Sequence, residues 1–307
     1  MAGSKGKWQW VAGGGIIMLF FVLLLIRLGV PEKIFSGAPG TDSLSQSTIT
    51  TGENWMSITQ DGRKIGHVHR TVAASETGFR FTENIAMRIN TLGVIQPLTV
   101  RTAADLKPDR TLANFQFDLG SSLFRFSARG KVEGTQLTVH TGSPGNETVT
   151  VIALAERPYL GGGVLESIGA IELKPGEGKT FPVFDPASLG QKPVRVTLLG
   201  EEAVTVMGER REAKKLSVDF MGIKQLAWVD REGSVLREEG VLGITLEKAT
   251  REEALAGLEG AAGADLAEIA AIPSPRPIED PEGLKVMKIR LTGLSDDTLF
   301  LDGGRQV

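Results

Sequence analysis

The chain contains no cysteine. That excludes disulfides, thiolate metal ligands and every cysteine nucleophile, and it leaves the redox compartment open, because a periplasmic protein need not contain cystine. It also excludes a lipid anchor attached through a lipobox cysteine. A large excess of charge is missing too. With 34 Lys and Arg against 37 Asp and Glu, the net charge of −3 creates no field that would gather polyanions, so no nucleic-acid partner is expected. Histidine is scarce, at three residues in 307. There is no G-x-S-x-G elbow and no histidine near one in sequence, so a Ser-His-Asp hydrolase has no support. No fixed-period repeat emerges, which argues against a propeller or solenoid.

What is present is a core-forming chain, 41% hydrophobic and 23% charged, behind an apolar N-terminus. From Val11 to Ile26 no charge interrupts "VAGGGIIMLFFVLLLI". Extended from Trp8 to Leu28, the run reaches about 20 residues, or about 30 Å of helix, the thickness of a bilayer core. Trp8 and Trp10 stand where interfacial aromatics belong, and Arg27 can extend to the opposite headgroups. The competing reading is a cleaved signal peptide, with Lys5 and Lys7 as its basic end and Ser36 and Ala38 at its cut. The length of the run, Arg27 directly after it and Pro39 just beyond favour an uncleaved transmembrane helix. Residues 8–28 are therefore expected to contact a lipid bilayer, and the short basic N-terminus favours N-in orientation, which places everything after residue 35 outside the cytoplasm.

Residues 1–35 thus read as tail and anchor. Residues 36–53, "SGAPGTDSLSQSTITTGE", are rich in Ser, Thr and Gly and read as a flexible stalk. From Trp55 the periodicity becomes two. In "FRFTENIAMRIN", Phe79, Phe81, Ile85, Met87 and Ile89 fall on one face of a half-buried strand, and "LANFQFDL" repeats the pattern with Ala113, Phe115, Phe117 and Leu119 inward. The fold expected is mainly β, with antiparallel sheets built of successive hairpins in a curved half-barrel or sandwich-like arrangement. The first subdomain is placed at 54–160 and a second at 161–250, opened by "GGG" and a short helix over 164–169. Residues 251–282 follow as an Ala- and Glu-rich helical stretch and a proline-rich linker, and 283–307 start a further β unit that is incomplete.

Few residues carry chemistry. Ile65, His67, His69 and Thr71 share one face of their strand, and a zinc site built on the two histidines needs a third ligand, for which His140, Asp118 and Glu133 are the candidates. With no such ligand near in sequence, the pair reads as the polar face of an edge hairpin, and no metal site is expected. "PGEGKTF" carries the G-K-[ST] of a phosphate-binding loop at Gly178, Lys179 and Thr180. Position 173 is Leu where that loop needs its first glycine, and Pro182 stands where a helix should begin, so a turn before a strand is expected. "YLGGGVLESIG" has no basic residue to complete an anion cradle and reads as a hinge. No catalytic, cofactor-binding or metal-binding residue is assigned, and no cofactor is implied.

"WMSITQDGRKIGHVHRTV", "LGVIQPLTVRTAADLKPDRTLANFQFDL" and "FSARGKVEGTQLTV" resemble the amino-terminal, non-catalytic region of membrane-anchored bacterial transglutaminase-like proteins. "FPVFDPASLGQKPVRVTLLGEE" and "QLAWVDREGSVLREEGVLGITLEKATREEA" are similar to periplasmic β-sheet domains. The resemblance spans about residues 54–307 and rests on strand and turn patterns. It implies a single-pass protein of the bacterial inner membrane with its C-terminal part in the periplasm. Family members continue into a domain with a Cys-His-Asp triad. This chain has no cysteine, so none of that triad is carried over and the chain is not expected to be an enzyme. The function implied is a non-catalytic, membrane-tethered extracytoplasmic β-domain that positions or regulates a transglutaminase-like or protease-like catalytic partner. The alternative is a periplasmic carrier of a lipid or other hydrophobic ligand, with Phe79, Phe81, Phe115, Phe117, Phe124 and Phe126 lining its cavity. A histidine-based metal enzyme is the third reading.

Overall fold

The computed structural model of the protein describes residues 51–143, 145–165, 173–220, 222–258, 263–271 and 283. Almost all of them belong to one compact unit, Pro39–Ile269. The anchor over 8–28, the stalk up to residue 50, most of the helix expected at 164–169, the proline-rich linker and nearly all of 283–307 lie outside the described residues. Among the described residues no helix is long and apolar enough to cross a membrane.

Eight strands form a first meander: β1 (Gly52–Gln60), β2 (Arg63–Ser75), β3 (Gly78–Thr91), β4 (Val94–Leu106), β5 (Leu112–Ser121), β6 (Arg125–Glu133), β7 (Gln136–Ser143) and β8 (Asn146–Ala153). Seven more follow: β9 (Tyr159–Leu160), β10 (Gly178–Asp185), β11 (Gly190–Val206), β12 (Glu209–Phe220), β13 (Ile223–Val229), β14 (Val235–Glu239) and β15 (Ile244–Ala249). The two runs expected as separate subdomains, 54–160 and 161–250, both contribute to one 15-stranded sheet, in the order β8 to β1, then β15 back to β9. The seam between them is β1 against β15, antiparallel from Trp55↔Ala249 to Gln60↔Ile244. Every pairing between these strands is antiparallel except that of the two-residue β9 with β10, and an isolated parallel bridge joins Asn90 to Asp265. The sheet does not close, and β8 and β9 are its edges.

Hairpin geometry follows from turn chemistry. Asp61-Gly62, Leu92-Gly93, Met207-Gly208 and Leu242-Gly243 are consecutive pairs with positive φ, between 48° and 76°. This is the type I′ conformation whose twist matches that of the strands it joins. Alternation then sorts the side chains. One core cluster holds Phe81, Leu106, Leu112, Phe115, Phe117 and Leu137 with Phe184, and a second holds Met56, Ile58, Ile65, Val68, Phe181 and Leu216 among others. Phe115 and Phe184 touch with ring centroids 5.2 Å apart, although β5 and β10 stand fourth and fourteenth in the sheet order. Contact between strands so far apart in the order requires the sheet to curl strongly around its own inner face. Each fully buried phenylalanine contributes about 1.5–3 kcal/mol, so the filled interior is the main source of stability.

Two departures from strict alternation have local causes. The β1–β2 register shifts between Ile58 and Thr59, and the extra residue on β2 is Ile65. It turns inward, to 2% exposure, instead of sharing the face of His67 and His69. A shift at Asp105/Leu106 likewise makes Leu112 the buried residue at the start of β5, while Ala113 is only half-buried. Among the described residues of 251–271, helix is confined to α1 (Arg251–Leu255) and α2 (Leu266–Ala270). Thr250 and Glu253 form a reciprocal capping box at the start of α1, which satisfies donors that a helix start leaves open.

Candidate functional site

Among the described residues, a buried charged cluster joins three strands. Arg70 lies on the inward face of β2 between Val68 and Val72, and Glu83 lies on the inward face of β3 beside Phe81; their exposures are 7% and 8%. Arg70 Nε donates to Glu83 Oε2, and Nη1 donates to Glu238 Oε1 at 2.7 Å. Glu238 belongs to β14, three places from β2 in the sheet, which in a flat sheet would be about 14 Å. The ion pair therefore ties together the first and second meanders across the seam. The Gly161–Gly163 3-10 turn packs on this pair. A Cβ at Gly162 would stand 3.1 Å from the Phe81 ring and 3.2 Å from Glu83 Oε1, so the absence of a side chain is what permits the approach. No basic residue lies between Tyr159 and Glu172; the Arg70 guanidinium beside these glycines comes from β2, about ninety residues earlier.

Beside the cluster is a cavity of about 110 Å³ lined by Arg70, Gly161, Gly162, Val194, Gln225 and Glu238 among others. Gln225 is exposed and marks its solvent side. Such a volume holds a few water molecules, whereas pockets for drug-sized ligands start at about 300 Å³. The guanidinium is permanently charged and two carboxylates engage it, so the arrangement is a fixed ion network with no nucleophile in it. One signal in the sequence pointed to it. Arg70 and Glu83 occupy the same alternation positions as Val68, Val72, Phe81 and Ile85, which places two charges inward on adjacent strands.

His67 and His69 do share the outer face of β2, where they meet Trp55 of β1. His69 stacks on Trp55 at 4.0 Å between ring centroids and 12° between planes, and its Nε2 lies 2.8 Å from Glu53 Oε1. That carboxylate also accepts from Trp55 Nε1 at 2.6 Å, and the bond from Trp55, with His69 beside it, holds the Glu53 carboxyl below its ordinary pKa. The Arg251 guanidinium of α1 lies 5.9 Å from the Trp55 ring. Burial, with Lys64 and His69 nearby, holds the His67 imidazole below its ordinary pKa. The pair is thus half-buried against Trp55 and α1, and it lies near the centre of the sheet order, where the polar face of an edge hairpin was expected.

The candidate third ligands are elsewhere. His140 is on β7, five places from β2 in the sheet, with Nδ1 3.5 Å from Glu147, which also receives Arg129. Asp118 accepts from Ser127, and Glu133 pairs with Lys131. Among the described residues no three histidines or carboxylates are grouped to hold a metal ion. Gly178, Lys179 and Thr180 open β10 behind a turn in which Glu177 N–H donates to Lys174 O at 2.9 Å.

A different feature stands at the sheet edge. Seven of the eight residues of β8 are exposed, including Val149 at 57% and Val151 at 61%. Among the described residues β8 pairs with β7 alone. It carries no lysine or proline, and its one charged residue, Glu147, is taken up by Arg129 of β6, so little on it opposes further pairing.

Fold and site define a class: a strongly curled, open antiparallel β-sheet with a packed interior and an unprotected edge. No family model matches the chain, and no curated protein does. Among solved structures it is similar to a beta-barrel-like protein of a domain of unknown function, DUF1849, from Brucella abortus, with a TM-score of 0.51 and 12% identity over 66% of this chain and 96% of that one. A DUF1089 family protein from Pseudomonas aeruginosa aligns at a TM-score of 0.34 and 11% identity, over 67% of this chain and 95% of that one. At such identities the first likeness concerns the fold alone.

Proposed function

We propose that the chain is a non-catalytic, membrane-tethered extracytoplasmic β-domain that holds a partner polypeptide by strand addition along β8. The partner suggested by the sequence is a transglutaminase-like or protease-like catalytic one. The observation that carries the reading is the edge itself. An exposed eight-residue strand with alternating Thr and Val offers a row of backbone donors and acceptors to an incoming strand, and Val149 and Val151 supply apolar contacts on one face. The filled interior supports this over the carrier reading. Phe81, Phe115 and Phe117 are buried in one cluster, with Phe79 and Phe126 packed against it, and they occupy the volume a lipid chain would need.

Because the chain has no cysteine, Thr150→Cys creates a unique cross-linking site on β8. In native membranes it should give an adduct with one catalytic polypeptide, and Val149→Lys with Val151→Lys should abolish that adduct while leaving the unfolding midpoint unchanged. Absence of an adduct, or one that persists with both lysines in place, would overturn the proposal. Co-purifying lipid in stoichiometric amount would favour the carrier instead.

A further inference from the structure

The turns at the two ends of strands β14, β15 and β1 to β6 differ in character. Because these neighbours are antiparallel, the turns at Leu242-Gly243, Asp61-Gly62, Leu92-Gly93 and Ser121–Phe124 lie at one end. The turns at Asp230–Ser234, Glu76-Thr77, Lys107–Thr111 and Gly134-Thr135 lie at the other. The second end is charged and exposed, with Glu76, Asp109, Glu133, Arg231 and Glu232 on the surface. The first end exposes Leu92 at 71%, Val94 at 55%, Ile95 at 43%, Leu123 at 51% and Val241 at 36%.

The β3–β4 hairpin is the most pronounced member of this rim. Val94 and Ile95 are consecutive on a strand, point to opposite faces, and are both exposed, so the β4 side of the tip carries apolar groups on both faces, while Asp265 bridges to Asn90 on the β3 side. Leu92 itself has φ +53°. A bulky side chain is disfavoured in that left-handed conformation, where Asn or Asp is the usual occupant of a type I′ turn; Asp61 holds that position in one hairpin, and Leu242 and Met207 hold it in two others. A leucine that fits neither the backbone nor the solvent gains nothing for the fold. The tip is nevertheless held rigidly, since the Asp265 carboxylate accepts from Leu92 N–H at 2.9 Å and from Gly93 N–H at 2.6 Å.

We infer that this rim, led by Leu92, Val94 and Ile95, dips into the interfacial layer of a lipid bilayer. A narrow prong with apolar groups on both faces suits the headgroup and acyl boundary, into which apolar side chains sink by about 5–10 Å, better than it suits a flat protein interface. Exposed Arg63 and Arg125 flank the tip, where cations meet anionic headgroups. The inference rests on the membrane-tethered reading, because the apolar run 11–26 precedes the domain. The chain length allows the reach: residues 29–50 can span at most about 75 Å, against about 30 Å of rise along β1.

The test uses the full chain reconstituted in phosphatidylethanolamine and phosphatidylglycerol vesicles. Leu92→Cys or Glu76→Cys provides the single thiol for an environment-sensitive fluorophore. The label at 92 should be blue-shifted and quenched by a nitroxide near the lipid headgroups, while the label at 76 at the opposite end stays unquenched. With the label at Val94→Cys, adding Leu92→Asn, which suits the left-handed turn, should cut quenching several-fold with an unchanged circular dichroism spectrum. Equal quenching at 92 and 76 overturns the inference. So does a label at 92 that is unquenched in vesicles yet shielded from aqueous reagents in native membranes, because the rim then meets a protein. A carbonate wash of the same vesicles separates the two readings. A chain that resists the wash with no quenching at 92 keeps the tether and loses the rim, and a chain quenched at 92 but released by carbonate keeps the rim and loses the tether.

Discussion

Arg70→Met tests whether the interior ion network holds the two meanders together. The substitution keeps a long, flexible side chain and removes the cation, leaving Glu83 and Glu238 with side-chain exposures of 10% and 18% and their charges uncompensated. Removing one partner of a buried pair costs about 3–5 kcal/mol, and since Glu238 is the more hydrated of the two, a loss near 3 kcal/mol is expected. Against a domain stability of about 5–15 kcal/mol this is readily measured. Urea denaturation of the full chain in detergent, followed by tryptophan fluorescence, reads it as a lower midpoint at constant slope, since Trp55 and Trp228 both lie in the described unit. Adding Glu83→Gln and Glu238→Gln to that variant removes the stranded charges and should recover more than half of the loss. A loss below about 1 kcal/mol, or no recovery on removing the carboxylates, would refute the reasoning, because the pair would then be too well solvated to matter.

Two further substitutions probe other parts of the fold. Since burial depresses the His67 pKa, the unfolded chain takes up its proton at higher pH than the folded one, so stability is present above the unfolded value near 6.5 and is lost as pH falls through it toward the lower folded value. His67→Gln should flatten the stability profile between about pH 7 and 5, and an unchanged slope would show that the imidazole is freely solvated. Gly130→Ala would bring a Cβ within 2.4 Å of a Phe115 ring carbon and 3.0 Å of Leu137, so a loss of about 1–3 kcal/mol is expected from overpacking. A neutral result in thermal denaturation would mean that the Phe115 ring has room to move.

Local alternation made the strands and most of the inward faces legible, because a half-buried strand writes its burial every second residue. What alternation could not give was the seam. Nothing in "NWMSITQ" and "GITLEKA" marks them as partners, since backbone pairing between segments nearly two hundred residues apart leaves no local pattern. The misplacement of Ile65 had a similar origin: a bulge changes the phase of the alternation and is invisible without the partner strand. For the histidines, sequence order hid Trp55, which register places directly opposite His69. Arg70 and Glu83 were readable as inward charges on adjacent strands, yet their third member, Glu238, came from across the seam and followed another register shift, at Trp228/Val229. In each case the missing information was long-range registry, and the residues that depend on it form the interior site.

The seam also determines what the free edges can do. Because β1 and β15 are neighbours at the centre of the sheet order, the chain enters and leaves the sheet at its middle, and both edges come from the middle of the sequence, β8 and β9. On the proposed function, a tether attached before β1 would hold the domain by its centre and leave β8 seven strands away. Closing β1 against β15 brings together segments of high sequence separation, which makes that pairing slow relative to the local hairpins on either side. Each meander can assemble from neighbouring hairpins first, and the central pairing then joins two preformed halves, with Arg70 of the first meeting Glu238 of the second. An ion pair placed there contributes nothing until the seam forms and acts only on the joined sheet. Its removal should accordingly speed unfolding far more than it slows folding, and a fall in the folding rate as large as the rise in the unfolding rate would place the seam in the folding nucleus instead.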